Sequence, residues 1–243
     1  MTKRIQFFIK HLTLSFIIAL VLLGVVFYCW YPTPLAKAVG VTYIILMLFA
    51  IDIIVGPLLG LLVYKEHKKT LKFDLTVIIL IQISALMYGI YSLEQGRPAW
   101  IVYNVDRFEL VRKNEIINEN IEKAHPQYKQ PSLLKPQYVM VEVATDIQKR
   151  QADLFTEVLG GVSLSQMPDR YIEFDNKALV QGKNILNIRK LYEYNEALSV
   201  RKILDDSPTA VGFVPLKASQ IDMTVLLDAQ GKPLAIVDLR PWN

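Results

Sequence analysis

The residues that could do chemistry are few and lie far apart. The apolar stretch Val41–Tyr64 holds one charged residue, Asp52, and a second aspartate, Asp74, lies at the start of the next apolar stretch. Paired aspartates act as a peptide-hydrolysing dyad only where their carboxyls touch and share a proton. Along membrane helices, about a dozen residues of depth at about 1.5 Å each would separate these two side chains. The spacing therefore argues against an aspartyl protease.

Other catalytic and metal-binding patterns are equally weak. The three histidines His11, His67 and His125 are scattered without metal-ligand spacing, and the single cysteine, Cys29, permits no internal disulfide. No G-x-S-x-G segment accompanies the one histidine of the polar half, so Ser-His-Asp chemistry is not supported. Gly160-Gly161 lacks a following Lys-Ser/Thr and suits a helix end rather than a phosphate loop. We expect a protein that is not an enzyme, with no cofactor and no metal.

The composition favours a membrane protein. Of the 243 residues 52% are hydrophobic, and the mean hydropathy is +0.28. Residues 1–96 carry eight Lys/Arg against four Asp/Glu, whereas residues 97–243 carry nineteen of each, so the whole net charge of +4 lies in the first part. A nucleic-acid binder would instead concentrate basic residues on its polar part. We therefore expect no nucleic-acid partner.

Three apolar stretches are long enough to cross a bilayer. They are Leu12–Tyr31, Val41–Tyr64 and Leu75–Leu93, and about 20 residues suffice for a hydrocarbon core of roughly 30 Å. A cleaved secretory signal is the alternative for the first stretch, because Ala36-Lys37-Ala38 resembles a cleavage site. The length of the stretch and its aromatic end favour a retained span. The fold class predicted is thus three transmembrane α-helices followed by an α+β domain.

The basic residues set the predicted topology. They cluster before the first span and in the loop at Lys65–Lys72, whereas the loop between the first two spans has only Lys37. The positive-inside rule then places the N-terminus in the cytoplasm. Three spans leave residues 97–243 on the outer side, which in a bacterium means a multi-pass inner-membrane protein with a periplasmic domain. We predict two domains, 1–96 in the membrane and in contact with lipid, and 97–243 in the periplasm.

Strands and helices alternate in mixed order in the second domain, which favours an α+β class. The predicted strands are Ala99–Val105, Phe108–Val111, Tyr138–Ala144, Gly212–Leu216, Met223–Asp228 and Leu234–Leu239. The predicted helices are Arg112–Ala124, Asp146–Leu159 and Asn184–Leu204. The segment Pro126–Pro136, with three prolines, is typical of a surface loop.

Two local patterns in this domain predict specific turn and helix-end positions. Gly231, within Ala229–Lys232, suits the left-handed position of a hairpin turn between the last two strands. In the second predicted helix, Asp146 is a candidate N-cap and Gly160-Gly161 a candidate stop. The apolar residues of that helix fall on one face, which is an amphipathic pattern. They are Leu154, Phe155, Val158 and Leu159.

Asp52 shares a helix face with two glycines in the second span. Asp52, Gly56 and Gly60 are spaced i, i+4, i+8, and small residues at this spacing let another helix approach closely. Pro57 lacks an amide hydrogen and should disturb the helix one turn earlier, near Ile53. An unpaired charge in a bilayer is costly, so we expect Asp52 to be protonated, paired or turned toward protein.

Two compatible alternatives follow for this face. It packs against the third span, where Gln82 and Ser84 could hydrogen-bond Asp52, or it meets the transmembrane helix of a partner protein. Replacing the spans by an unrelated anchor would separate a functional membrane part from a simple tether.

Three segments together resemble a known family. They are I-D-I-I-V-G-P-L-L-G-L-L-V-Y at 51–64, R-P-A-W-I-V-Y-N-V-D-R-F-E-L-V at 97–111, and V-L-L-D-A-Q-G-K-P-L-A-I-V-D-L-R-P-W at 225–242. In this order and topology they resemble the type IV pilin accessory proteins of the TfpX/TfpZ family. The resemblance covers essentially the whole chain. It implies an inner-membrane protein that assists assembly or function of its cognate pilus, with no catalytic residues.

The resemblance also points to site residues and partners. The family's acidic position and glycine-proline motif fall on Asp52, Gly56 and Pro57. Its motif after the membrane falls on Arg97, Pro98, Asp106, Arg107 and Phe108. The last three either connect two strands, with Phe108 in the core, or form a docking edge near the bilayer.

The expected partners are the major type IV pilin and, further, subunits of the pilus assembly platform. A pilin before assembly has a membrane helix and an outer head, so the Asp52 face would receive the helix and the outer domain the head. The rival function is a membrane-tethered periplasmic ligand sensor. Because little of the chain is predicted inside the cell, such a sensor would have to signal through a partner protein.

Overall fold

The structure is a computed structural model that describes residues 2–142, 144 and 146–242, without the side chains of residues 149, 156 and 158. The chain divides into two compact units. The membrane unit contains the chain up to Trp30 together with Val41–Gly96. The sheet unit contains Tyr31–Gly40 together with the chain from Arg97 onward.

Three helices of the membrane unit are long and apolar enough to cross a membrane by length and composition. They extend over Lys3–Trp30, Thr42–Val63 and Leu71–Gly96, and they coincide with the three predicted spans. The helical segments up to residue 96 are α1 (Lys3–Val25), α2 (Leu35–Ala38), α3 (Thr42–Ala50), α4 (Gly56–Val63) and α5 (Leu71–Gly96). The second span is thus α3 and α4 joined end to end.

The join in the second span is a π-helical turn. It covers Ile51–Val55, includes Asp52, and immediately precedes Pro57 in α4. Because proline has no amide hydrogen, the α-type hydrogen-bond ladder cannot run unbroken through this point. A wider π turn accommodates the interruption, and such turns often occur at functional positions.

The sheet unit is built on one mixed sheet of eight strands. The strands are β1 (Pro98–Asn104), β2 (Arg107–Arg112), β3 (Gln137–Val141), β4 (Tyr171–Glu173), β5 (Leu186–Asn187), β6 (Gly212–Lys217), β7 (Met223–Leu227) and β8 (Pro233–Val237). The order is β4-β3-β1-β2-β6-β7-β8, and β5 also pairs with β6. The neighbours β1 and β3, and β2 and β6, run parallel, whereas the other pairs are antiparallel.

All six predicted strands are present, with boundaries that differ by a few residues. Val143, inside one of the predictions, lies outside the described residues. The predicted hairpin joins β7 and β8, and Gly231 adopts the expected left-handed conformation with φ +75°. The Asp228 side chain supports the turn, because its Oδ1 accepts hydrogen bonds from the backbone N of Gln230 at 2.9 Å and of Lys232 at 2.8 Å.

Helices α6 (Ile147–Gly160), α7 (Asn176–Gln181), α8 (Leu191–Tyr194) and α9 (Ala197–Asp205) complete the sheet unit. The prediction of a helix over Asp146–Leu159 is confirmed by α6. It begins directly after Asp146 and ends at Gly160, where Gly161 takes φ +67°. Glycine adopts this conformation without the steric penalty of a Cβ atom.

The predicted helix over Arg112–Ala124 is wrong. The segment contains two 3₁₀ turns, Lys113–Glu115 and Ile121–Lys123. The Glu115 side chain accepts from the backbone N of Arg112 at 2.8 Å and so fixes a tight turn directly after β2. Three asparagines in the segment also favour turns, because their side chains compete for backbone groups.

The predicted helix over Asn184–Leu204 is wrong in its first half. Leu186 and Asn187 pair with β6 instead, and the Asn187 side chain caps a 3₁₀ turn by accepting from Arg189 N at 2.9 Å. Asn195 separates α8 from α9, because its amide bonds Leu191 O and the backbone of Arg240. Arg240 lies 45 residues from Asn195 in sequence, so local periodicity could not reveal the break.

An aromatic cluster forms one core of the sheet unit. The ring centroid of Trp100 lies 6.0 Å from that of Tyr128 and 5.4 Å from that of Tyr171. Tyr128 comes from the predicted surface loop Pro126–Pro136, which begins with a 3₁₀ turn at Pro126–Tyr128. The loop therefore contributes a buried side chain to the core, which its proline content did not indicate.

The short segment between the first two spans packs as part of the sheet unit. The carbonyl of Ala38 accepts from the backbone N of Gln220 at 3.1 Å and of Ile221 at 3.2 Å. Lys37 forms an ion pair with Asp238, and Tyr31 is fully buried. The 31–40 segment therefore belongs with the sheet and not with the two apolar helices that flank it in sequence.

Candidate functional site

Asp52 lies in the π turn of the second span and is only partly exposed. The Gln82 side chain of α5 donates from Nε2 to the backbone carbonyl of Asp52 at 3.3 Å. The predicted contact between the second and third spans is therefore present, although it reaches the backbone of Asp52 rather than its carboxyl. Ser84, the other expected partner, is exposed.

The glycine face is packed inside the membrane unit. Gly56, Pro57 and Gly60 are all buried. A Cβ added at Gly56 would collide with the Gln82 side chain, and one added at Gly60 would lie 2.9 Å from Cε1 of Phe7. The glycines thus let α1 and α5 approach the second span closely. Contact of Asp52 with a partner's helix stays a prediction.

The motif after the membrane begins the sheet. Arg97 is 1% exposed, and its carbonyl accepts from Lys113 N at 2.9 Å. Pro98 is the first residue of β1 and pairs with Arg112 of β2. A proline is tolerated here because the first residue of a strand can lack a ladder donor.

The remaining motif residues occupy the β1–β2 turn and the core. Asp106 lies in the turn, and Arg107 pairs with it at 4.0 Å and with Glu109 at 3.3 Å. Phe108 is fully buried. Three rings surround it, those of Tyr103, Tyr138 and Phe174, with centroids 5.4, 5.6 and 5.8 Å away. These contacts fit the strand-connecting alternative, and a docking role of the exposed Asp106 stays a prediction.

Helix α6 is attached to the sheet unit through its polar face. Asp153 accepts two hydrogen bonds from the Arg170 guanidinium, at 2.6 and 3.0 Å. This hydrogen-bonded carboxylate raises the pKa of Arg170 above its ordinary value. One turn on, Glu157 accepts from the backbone N of Leu164 at 3.2 Å. These two acidic residues of α6 therefore have their hydrogen-bond partners within the sheet unit.

The opposite face of α6 is apolar and exposed. Ile147 is 74% exposed, Leu154 54%, and Phe155 and Leu159 68% each. The side chain of Val158, also predicted on this face, lies outside the described residues. A cavity of about 460 Å³ lies at the border between this face and the polar face, because Leu154 lines it together with Asp153 and Glu157. A contiguous exposed apolar face of this kind commonly marks an interaction surface.

Sequence periodicity identified this apolar face but not whether it turns toward the core or toward solvent. A surface helix normally turns its apolar side to the core. Here the i, i+3, i+7 positions Arg150, Asp153 and Glu157 all have partners within the sheet unit, Arg150 by donating to Ala144 O at 3.3 Å. The spacing of these three residues can be read from the sequence. The pairing of Asp153 with Arg170 cannot, because it depends on the tertiary structure.

Among the described residues, no group of three or more His, Cys, Asp or Glu side chains is placed to hold a metal ion. The fold and these surfaces define a class of protein, with three helices suited to a membrane and an α+β domain that presents an apolar helix face.

Comparisons with known proteins relate the chain to fimbrial assembly proteins. The family model for "Fimbrial assembly protein FimB" matches residues 1–40. The chain is 26% identical over 230 residues to the fimbrial assembly protein of serogroup E1 of Dichelobacter nodosus, covering 90% of this chain and 88% of the relative. It is 32% identical over 116 residues to that of serogroups C1 and C2, covering 47% of this chain and 88% of the relative. The chain belongs to the fimbrial assembly protein FimB family.

A third relative, the fimbrial assembly protein of serogroup I of Dichelobacter nodosus, is 26% identical over 231 residues and covers 90% of this chain. Its alignment, like that with the serogroup E1 protein, includes most of the sheet unit as well as the spans. No solved structure matches the chain.

Proposed function

We propose that this protein is an inner-membrane accessory protein of type IV fimbriae, related to the TfpX/TfpZ group, that binds the fimbrial subunit and assists its assembly. The family membership supports the assembly role. The proposed role is binding rather than catalysis, with the sheet unit in the periplasm and the basic loop at Lys65–Lys72 in the cytoplasm.

The observation that carries this proposal is the outward-facing apolar side of α6. Its polar side is held by Arg170 through Asp153, so the helix cannot simply roll over to bury Leu154 and Phe155 without breaking a bidentate ion pair. An apolar face that the chain itself leaves exposed is best covered by another protein. In a fimbrial assembly protein, the outer part of the fimbrial subunit is the partner that fits this role.

The test is capture of the fimbrial subunit by the full chain. The tagged protein is purified in mild detergent from cells that make fimbriae, and the co-purified subunit is measured by immunoblot. The variant Phe155→Lys should reduce the captured subunit about tenfold, because a charge on the apolar face opposes its burial. Surface fimbriation in a deletion strain complemented with the variant should fall in parallel.

Leu198→Lys is the matched control. Leu198 is 70% exposed on α9 and lies away from the apolar face of α6 in sequence and element. It should leave capture and fimbriation unchanged. Equal capture by Phe155→Lys and the unaltered protein would exclude α6 as the contact. Absence of any fimbrial subunit from the unaltered preparation would contradict the proposed binding function itself.

A further inference from the structure

The membrane unit has a groove between its first and third spans. Both α1 and α5 pack against α4, but among the described residues they make few contacts with each other. A cavity of about 140 Å³ lies in this gap. Its walls include Leu14 of α1 and Ile83 of α5, which are 58% and 53% exposed, so the groove opens to the outside of the unit.

The floor of the groove is polar. His11, Asp52 and Gln82, one from each span, line the same cavity. The side chains of His11 and Gln82 hydrogen-bond each other. The Asp52 Oδ2 atom is buried and makes no hydrogen bond within the described chain. Buried polar atoms without partners are rare, and in a bilayer they are especially costly.

The chemistry of Asp52 Oδ2 indicates what is missing. An ionised carboxylate only accepts hydrogen bonds. The floor therefore offers an acceptor to a group that donates. A lipid acyl chain would fit the apolar walls but would leave this carboxylate oxygen unsatisfied.

We infer that this groove receives one transmembrane helix of a partner protein, apolar except for a hydrogen-bond donor side chain that reaches the floor at Asp52. A helix seated between two helices and over a third completes a four-helix bundle, a common arrangement for polar sites in helix cores. The inference rests on the proposed function for the identity of the partner, the fimbrial subunit. It places the contact in the groove rather than on the glycine face, which the chain's own helices cover.

Photo-crosslinking in living cells tests the groove. Leu14 on the groove wall is replaced by benzoylphenylalanine in the full chain, and Tyr43, which is 84% exposed on the second span outside the groove, serves as the matched probe position. After illumination, adducts are purified and the crosslinked peptide is identified by mass spectrometry. We expect an adduct with the membrane segment of the fimbrial subunit at position 14 and none at position 43.

The polar floor is tested in the same probe background. Asp52→Leu should reduce the adduct roughly three- to tenfold, the range supported by one hydrogen bond between membrane helices. Asp52→Asn keeps an acceptor and should retain the adduct within about twofold. If Asp52→Leu does not accumulate in the membrane, Asp52→Ala, which also removes the carboxylate acceptor, takes its place.

Each outcome separates the groove from the proposed function. An Asp52-dependent adduct with the membrane segment of a different protein supports the groove and contradicts the fimbrial subunit as the partner. If only lipid adducts or none form at position 14 while the unaltered protein still captures the subunit, the groove inference fails and the proposed function stands. Equal adducts at positions 14 and 43, or an adduct insensitive to Asp52→Leu, would also overturn the groove.

Discussion

At the scale of single residues, Tyr171 shows how the core of the sheet unit uses a polar group. Its hydroxyl donates to the backbone carbonyl of Ser165, and the residue is 5% exposed beside Trp100. Burial raises the pKa of Tyr171 well above its ordinary value near 10. The neutral phenol is therefore the form that the folded protein stabilises.

This pKa direction predicts a loss of stability at alkaline pH. The unfolded chain releases the Tyr171 proton first, so the contribution of Tyr171 to the free energy of unfolding should be constant below about pH 10 and fall above it. Tyr171→Phe should lower stability by about 1 kcal/mol at pH 8, because one hydrogen bond is lost. Tyr171→Phe should also reduce the fall in the free energy of unfolding between pH 10 and pH 11.

Denaturant titrations of the purified protein, followed by tryptophan fluorescence, provide the measurement. Burial also raises the pKa of Tyr138, so Tyr171→Phe should still lose some stability as the pH rises above 10. Tyr192→Phe, at a 43% exposed tyrosine, is the control and should keep the full slope. An unchanged slope in Tyr171→Phe would refute the assignment.

At the scale of elements, an ion pair between Asp153 and Arg170 attaches α6 to the rest of the sheet unit. The Arg170 and Asp153 side chains are 12% and 16% exposed, so their two hydrogen bonds are largely shielded from water. Such bidentate pairs fix geometry as well as adding energy. This charged contact therefore helps to set the position of the apolar face of α6, together with the hydrogen bonds of Arg150 and Glu157.

Removing this contact should release the helix. Asp153→Ala should destabilise the sheet unit by about 2 kcal/mol, because a hydrogen bond to a charged group is lost and Arg170 keeps a shielded charge without its carboxylate. Limited proteolysis should then cut within Ile147–Gly160 several times faster. Gln148→Ala, at an exposed position of the same helix, should digest like the unaltered protein. Identical digestion of the two variants would show that the ion pair does not hold α6.

At the scale of the whole molecule, the segment Tyr31–Gly40 ties the chain topology to the sheet unit. Its backbone bonds to Gln220 and Ile221 hold it against the sheet, so we expect this segment and the sheet on one side of the membrane. The charge pattern predicts the loop at Lys65–Lys72 on the opposite side. The contacts of the segment are those that the predicted three-span topology requires.

Cysteine labelling in intact cells tests this topology. In a Cys29→Ser background, a membrane-impermeant maleimide that enters the periplasm should label both Lys37→Cys and Lys135→Cys. It should label Lys69→Cys only after the inner membrane is permeabilised. Labelling of Lys69→Cys in intact cells would reverse the orientation, and different labelling of Lys37→Cys and Lys135→Cys would contradict the packing of the 31–40 segment.

Local patterns in the sequence determined the three spans, the six main strands and the β7–β8 hairpin. Long uncharged runs can cross a bilayer only as helices that satisfy their own backbone, and Gly231 meets a local backbone requirement. The helix α6 was equally predictable as an element, because its periodicity and flanking glycines are local.

Only the tertiary structure determined which faces of these elements are exposed and which distant residues they contact. Asp153 meets Arg170 across 17 residues, Asn195 meets Arg240 across 45, and Lys37 meets Asp238 across 201. The direction of α6, the end of α8 and the packing of the 31–40 segment each depend on such a contact. The same holds for the polar groove floor, which takes one residue from each span. A side chain's partner at this distance leaves no periodic trace in the sequence, because it is set by how the elements pack and not by the residues beside it.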